Sequence, residues 1–307
     1  MPWPTQVSSA IGGRVCSSPV LPRALVCAAA LAIDAALGEP PPRLHPVVGM
    51  GSLLSAARSR WRAQEPAGQV TEGAAGVVAV IAASAICALA ARRALARLPR
   101  GAALLGEAGA LSTLIALRGL REAVDGVRTA LDAGDLASAR TRAARDLVSR
   151  DTSSLDASEL SGAAIQSLAE NLSDSVVAPL LAYAAGGLPA AAAYRALNTA
   201  DAMWGYRTPE LLHHGRIAAR ADDAANLLPA RLTALLIAAC APQPREALGA
   251  ALRDHAQAPS PNGGWPMAAM AGGLGVRLVK RGSYAFNAGA RAPTPDDIGR
   301  ALGVVGG

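Results

Sequence analysis

Apolar and polar stretches alternate along the chain in a way that predicts helices throughout. Residues 21–38 are largely apolar, interrupted by Asp34, and run into Gly38-Glu39-Pro40-Pro41-Pro42, which reads as an ordered turn. A retained helix is the favoured reading, and a signal-peptide core is the competing one. Gly73 to Ala91 carries no charge over nineteen residues, close to the ~20 needed to cross a bilayer. Residues 101–120 are also apolar but contain Glu107 and Arg118, as a buried or partly inserted helix would. Over 121–160 charges interleave with Ala, Leu and Val around Gly134, predicting two amphipathic helices joined by a tight turn. A further helix follows over 161–175. The apolar run 176–200, broken by Gly186, Gly187 and Pro189, predicts a helical hairpin or an interrupted span. Residues 201–226 are polar and basic, 227–241 form a short apolar helix, 242–258 are polar, and 259–275 are rich in Gly, Pro, Trp and Met. No strand-like alternation of useful length and no internal repeat occurs. The fold class expected is therefore all-α: a polytopic membrane helical bundle with a polar helical region on the cytoplasmic side.

Composition strengthens the membrane reading. Of 307 residues, 51% are hydrophobic and 17% charged, against about 25% charged in soluble domains. The net charge of +6 is compatible with positive cytoplasmic loops, and Arg92, Arg93, Arg97 and Arg100 put that end of the first span on the cytoplasmic side. A nucleic-acid partner is not expected, because no zinc-finger or RNA-binding pattern accompanies the charge. Cys16, Cys27, Cys87 and Cys240 are far apart, and Cys27, Cys87 and Cys240 lie in apolar runs and read as buried, reduced thiols.

Polar clusters beside apolar helices are the natural candidates for function. Arg150 and Asp151 close the amphipathic pair, and Asp156 with Glu159 has the spacing of a capping box. Gln166, Glu170 and Asp174 repeat every four residues and share one helix face, flanked by Asn171 and Ser173. Two carboxylates one turn apart repel unless a cation lies between them, and Mg²⁺ suits such oxygen donors. Asn198, Asp201, Tyr206 and Arg207 follow the apolar hairpin, and Asp222, Asp223 and Asn226 precede the helix that carries Arg231. His45, before Pro46, reads as a turn residue or a substrate contact. Each cluster also has a plainer reading as a helix cap or a solvated face. Zinc is not expected without a His/Cys cluster, and there is no phosphate-binding glycine loop ending in lysine.

Six stretches taken together resemble the CobD/CbiB family of cobalamin biosynthesis, adenosylcobinamide-phosphate synthase. They are Asp34 to Gly49, Arg150 to Asp156, Ala169 to Pro179, Tyr194 to Arg207, Ala219 to Leu235 and Pro259 to Leu274. The likeness spans roughly 24–285 and departs from the family's usual residues at Glu39, Leu172 and Trp204. It implies an irregular tail over 1–20, a single membrane domain over 21–285 with a soluble helical insertion at about 121–175, and a C-terminal tail over 286–307. It also implies an inner-membrane, multi-pass enzyme with a cytoplasmic active face. That enzyme joins aminopropanol, or its phosphate, to the propionate of adenosylcobyric acid, with ATP as co-substrate and Mg²⁺ as cofactor. The partners implied are those substrates, the lipid bilayer and other cobalamin-pathway enzymes.

Chemistry then suggests roles within that implied reaction. Glu170, Asp174, Asp222 and Asp223 would hold Mg²⁺, directly or through water. Arg150, Arg207 and Arg231 would hold phosphates, and Asp151 or Asp201 would accept the amine proton. Asn171, Asn198, Tyr206, Asn262, Trp265 and His45 complete the expected substrate-binding set. A non-catalytic membrane sensor of the same architecture, resembling AmpE, is the alternative. It should lack the stretches around Glu170 and Asn262. A transporter or a prenyltransferase fits the placement of the polar residues less well.

Overall fold

A computed structural model of the protein describes residues 20–306, so the expected tail before them, with Cys16, lies outside the described residues. The helices are α1 (Val20–Leu37), α2 (Pro46–Arg58), α3 (Pro66–Leu95), α4 (Arg100–Ser112), α5 (Leu117–Asp132), α6 (Leu136–Asp146) and α7 (Ala157–Leu172). They continue as α8 (Ala178–Gly186), α9 (Leu188–Trp204), α10 (Arg216–Ala225), α11 (Leu227–Cys240), α12 (Pro244–Asp254), α13 (Gly264–Leu274) and α14 (Pro295–Gly306). Local chemistry sets many of these boundaries. Gly134 (φ +73°) and Gly187 (φ +71°) take the left-handed turns that end α5 and α8. Proline opens α2, α3 and α12, where its missing N–H costs nothing. Asp156 and Glu159 form the capping box that starts α7.

Two helical stretches, Pro66–Leu95 and Arg100–Asp132, are long and apolar enough to cross a membrane. The second runs through the break between α4 and α5. The bent pair α10–α11 makes a third if it counts as one span. Only 17% of the most apolar window of α3 is buried within the protein, which leaves its Val, Ile and Ala surface for lipid.

Two apolar cores lie side by side. One collects Val124, Val127, Leu160, Ile165, Leu168, Met270, Leu274 and Ile298 from α5–α7 and α11–α14. The other collects Leu54, Val77, Leu111, Ile115, Ala196 and Trp204 from α1–α4 and α8–α10. The chain passes from the first core to the second through a π-helical turn, Ser173–Val177, between α7 and α8. It returns through the bend between α10 and α11.

The structure corrects two expectations. The fold is not purely helical, because β1 (Leu278–Lys280) and β2 (Tyr284–Phe286) pair antiparallel, with Leu278 opposite Phe286. Three-residue strands are too short to show alternation. The residues expected as a C-terminal tail instead form α14, whose Ile298, Ala301 and Val304 enter the first core. The helix is anchored by Asp297, which is 1% exposed. Its carboxylate receives both outer nitrogens of Arg291, each at 2.7 Å, together with Arg300 and the Thr294 N–H.

Burial opposes the Asp297 charge, but donors from Arg291, Thr294 and Arg300 outweigh it and hold the carboxyl well below the usual carboxylate range. The stability this contributes is complete above the unfolded value of about 3.9 and is lost as pH falls below it. Asp297→Ala is expected to destabilise the detergent-solubilised protein by about 2 kcal/mol and to flatten its acid limb. Thermal melting from pH 3 to pH 7 checks both.

Candidate functional site

The seam between the two cores gathers five carboxylates. Glu170 stands in the last turn of α7 and Asp174 in the π-helical turn. Asp201 lies near the end of α9, and Asp222 and Asp223 near the end of α10. A π turn inserts one residue into the helical repeat and re-aims the side chains around it; here it carries Asp174 at the crossing point. Asp174 feels the negative charges of Glu170, Asp222 and Asp201. Asp201 feels those of Asp222, Asp223 and Glu170.

Neutral donors hold this group together. Asn198 Nδ2 donates to Asp222 Oδ1 at 3.3 Å, and Asn226 Nδ2 to Asp222 Oδ2 at 2.9 Å. The Tyr194 hydroxyl donates to Asn226 Oδ1 at 2.8 Å and lies 3.2 Å from the Asp174 carbonyl. Ser260 Oγ donates to Asp223 Oδ1 at 3.0 Å, and Asn262 Nδ2 to the Asp223 carbonyl at 2.7 Å. The loop between α12 and α13 thereby closes onto α10. It also lies against Glu170: a Cβ added at Gly263 would stand 2.7 Å from Glu170 Oε1, so a side chain there would meet the carboxylate.

One cation is enclosed with them. Arg195 is buried, and its Nη1 donates to the Asp174 carbonyl (3.2 Å), Ser175 Oγ (3.4 Å) and Asn198 Oδ1 (3.2 Å). Its Nε and the Ser173 hydroxyl are buried without a hydrogen-bond partner among the described residues. Buried donors of this kind ordinarily have a partner, so the seam is incompletely satisfied by the protein alone.

Burial pushes the Glu170 carboxyl up, with Lys280 opposing. Burial pushes Asp174 well up, reinforced by the charges of Glu170 and Asp222 and opposed by Arg195. Burial, followed by Asp222, Asp223 and Glu170, raises Asp201 to about 7. Among the described residues no three His, Cys, Asp or Glu side chains converge closely enough to hold a metal ion by themselves. The carboxylates named for Mg²⁺ are therefore neighbours without being a ready-made cage. Asp222 is tied to asparagines and Asp223 to Ser260. The all-oxygen donor set fits Mg²⁺, which keeps several waters and binds through one or two carboxylates plus substrate phosphates.

The other expected site residues divide. Arg231 donates to the Leu227 carbonyl (2.6 Å) and to Asn262 Oδ1 (3.4 Å). Its guanidinium stands 4.9 Å from the Trp265 ring centroid, and His255 stacks on that ring at 3.9 Å. These contacts make Arg231 and Trp265 a clamp for the Ser260–Trp265 loop. Asn171 donates to the Ser167 carbonyl and hydroxyl. Arg150 lines a small cleft together with Glu170.

Asp151 stands outside the group. It is exposed, and it accepts the Ser153 N–H and hydroxyl, both at 2.9 Å, as a turn residue does. Tyr206 and Arg207 are exposed in the loop after α9. His45 caps α2, accepting the Val47 N–H at 3.2 Å, and its Nε2 lies 3.3 Å from Glu39. Tyr194 and Arg195 were missed as site residues. The available signal was a Tyr-Arg pair inside an alanine-rich helix, where a charge must face something polar.

A family profile described as CobD/Cbib protein matches residues 27–305. The chain is 39% identical over 288 residues to the cobalamin biosynthesis protein CobD of Rhodobacter capsulatus, covering 89% of this chain and 90% of that one. It is 40% identical over 304 residues to the protein of the same name from Chromobacterium violaceum, covering 92% of each. The Rhizobium meliloti protein of that name is 38% identical over 295 residues, covering 92% of this chain and 89% of its own. No solved structure matches the chain.

The raised Asp201 value carries a sign. The folded chain favours the protonated acid, so this contribution is complete below about pH 4 and is lost as pH rises to about 7. The melting temperature of the cation-free protein in detergent is expected to fall from pH 5 to pH 7.5. Asp201→Asn should make that slope shallower, and equal slopes would contradict the assignment.

Proposed function

The chain belongs to the CobD/Cbib family of cobalamin biosynthesis proteins, and on that premise we propose that it is the ATP-dependent amide ligase of the pathway, adenosylcobinamide-phosphate synthase. The overall reaction takes adenosylcobyric acid, aminopropanol or its phosphate, and ATP to adenosylcobinamide or its phosphate, ADP and phosphate. It places the protein in the cell inner membrane as a polytopic helical bundle. The arginines after α3 and the polar helices α5–α7 then face the cytoplasm. Contact with other cobalamin-pathway enzymes belongs to the same proposal.

The observation that carries this reading is the enclosed carboxylate group with an incompletely satisfied arginine at its centre. A carboxylate is a poor electrophile, so the corrin propionate accepts the terminal phosphoryl group of ATP before the amine attacks it. Glu170 and Asp174, with Asp222 and Asp223, would hold Mg²⁺ through water and phosphate oxygens. When bound, the ion supplies charge neutralisation at the transferring phosphoryl group. Arg195, whose Nε lacks a hydrogen-bond partner among the described residues, offers a fixed positive charge to a developing anion. Arg150 and Arg207 supply further phosphate contacts at the edges.

Asp201 accepts the proton as the amine attacks. A base near pKa 7 suits that task at neutral pH, whereas the Asp151 carboxylate is engaged by Ser153. Asn198 and Asn226 keep Asp222 oriented, and the Asn262–Trp265 loop covers the site from the α13 side.

Glu170→Gln and Asp174→Asn are each expected to lower ATP-dependent amide formation at least 100-fold, about 2.7 kcal/mol of transition-state stabilisation. The readout is the corrinoid product by mass spectrometry from purified protein in detergent. Both variants should keep normal expression and melting. Near-normal turnover in both would remove the carboxylate group from the chemistry.

A further inference from the structure

Beside the second core a groove of about 550 Å³ opens between α2, α3, α4 and α9. None of the side chains lining it is charged. Met50, Ala88 and Leu114 form its buried floor, and Gly49, Leu53 and Cys87 stand exposed on its rim. The Thr113 hydroxyl, which also lines it, is already engaged with the Ala110 carbonyl at 2.8 Å. Cys87, expected as a buried thiol, is therefore exposed, as is Cys240 on α11. The two helices that form the rim also expose Val48 and Ile86, at 47% and 66%. Exposed apolar surface around a groove marks a contact with lipid or with another protein.

One end of the groove is charged. Its α3 wall stops at Ala91, Arg92 and Arg93 follow in the last turn of that helix, and Arg97 and Arg100 come close behind. Leu188 lines the groove at the start of α9, and a Cβ placed on the adjacent Gly187 would stand 3.7 Å from Arg92 Nη1. The Arg92 guanidinium therefore lies at the groove's end. Glu107 reaches it loosely, at 3.9 Å. Among the described residues Arg93, Arg97 and Arg100 have no carboxylate within 4.0 Å, and all three are exposed.

An uncharged groove that ends at a group of guanidinium ions is the complement of a phospholipid, with hydrocarbon along its length and a phosphate at its end. We infer that this groove seats one acyl chain of an anionic phospholipid, with the arginines at the end of α3 on its phosphate. The site lies apart from the carboxylate seam. It rests on the membrane placement proposed above and is independent of the ligase chemistry. A second copy of the chain fits the same surface less well. Two copies in one bilayer share an orientation, so a two-fold contact through this face would set the arginines of both at one depth. Like charges would then face each other, whereas an anionic headgroup neutralises them.

The test uses the full chain purified in detergent, stripped of lipid and titrated with dioleoyl phosphatidylglycerol or dioleoyl phosphatidylcholine. Native mass spectrometry follows the bound lipid. The parent is expected to hold one phosphatidylglycerol about tenfold more tightly than phosphatidylcholine. Arg93→Gln combined with Arg97→Gln should bring the two lipids within about twofold of each other. A Cβ at Gly49 meets nothing within 4 Å, so Gly49→Leu fills open groove without a clash. That variant should weaken both lipids about tenfold by displacing hydrocarbon. The three positions are exposed, so the variants should melt as the parent does. In a chain whose only cysteine is Cys87, phosphatidylglycerol should slow maleimide alkylation more than phosphatidylcholine does. In one whose only cysteine is Cys240, the two lipids should act alike.

Equal retention of both lipids by the parent would overturn the inference, as would a preference that survives loss of the arginines. Undiminished binding in Gly49→Leu would overturn it too. A dimeric mass with Cys87 resistant to alkylation in the lipid-free parent would give the groove to a second copy. A chain that stays in solution without detergent would overturn the membrane placement itself. None of these readouts uses turnover, so they stand whether or not the ligase reading does.

Discussion

The structure depends on keeping like charges together inside protein. Glu170, Asp174, Asp201, Asp222 and Asp223 repel one another, and Arg195 is enclosed with them. Burying unpaired charge is costly. The fold contains that cost with neutral clamps: Asn198 and Asn226 on Asp222, Ser260 on Asp223, and Tyr194 between Asn226 and the π-helical turn. Part of the cost remains, and it appears as raised carboxyls and an arginine nitrogen without a partner among the described residues. A divalent cation at the carboxylates together with phosphate oxygens at Arg195 would relieve it, which links the instability of the seam to its proposed chemistry.

The two-core architecture explains where this group can sit. Each core is built mainly from small and aliphatic side chains, with Phe286 in the first and Trp204 in the second. The chain crosses between them after α4, at the π-helical turn and at the α10–α11 bend. Glu170 and Asp174 lie at the second crossing and Asp222 and Asp223 at the third. α7 is buried from Leu160 to Ala169 and acts as a rigid post. Its inner end carries Glu170 toward the seam, and its Gln166 anchors the hairpin that carries Lys280. α3 packs against α9 and α10 and leaves most of its apolar window exposed.

Much of this was legible in the sequence. Gly134, Gly187 and the capping pair Asp156–Glu159 set helix ends by local chemistry alone, and an uncharged run marks α3. The carboxylates at 170, 174, 201, 222 and 223 stood out because charge is scarce near apolar helices. Other features depend on tertiary contact. α14 hides because Gly299, Gly303 and Gly306 dilute an apolar face that becomes visible only once Ile298, Ala301 and Val304 meet the core. The hairpin is too short to show a period. Asp151 resembled a catalytic acid, but the following Ser153 engages it in a turn. Arg231 resembled a phosphate ligand, and only the fold brings it over Trp265.

The central claim is that the enclosed carboxylates and Arg195 serve to activate a substrate carboxylate with ATP. The most direct measurement follows oxygen. Adenosylcobyric acid labelled with ¹⁸O in its free carboxylate is turned over with ATP, Mg²⁺ and aminopropanol phosphate. The released inorganic phosphate is then analysed by mass spectrometry. One ¹⁸O transferred to phosphate for each amide formed is the result the account predicts. Amide formed with unlabelled phosphate, or ATP cleaved with no amide, would contradict it.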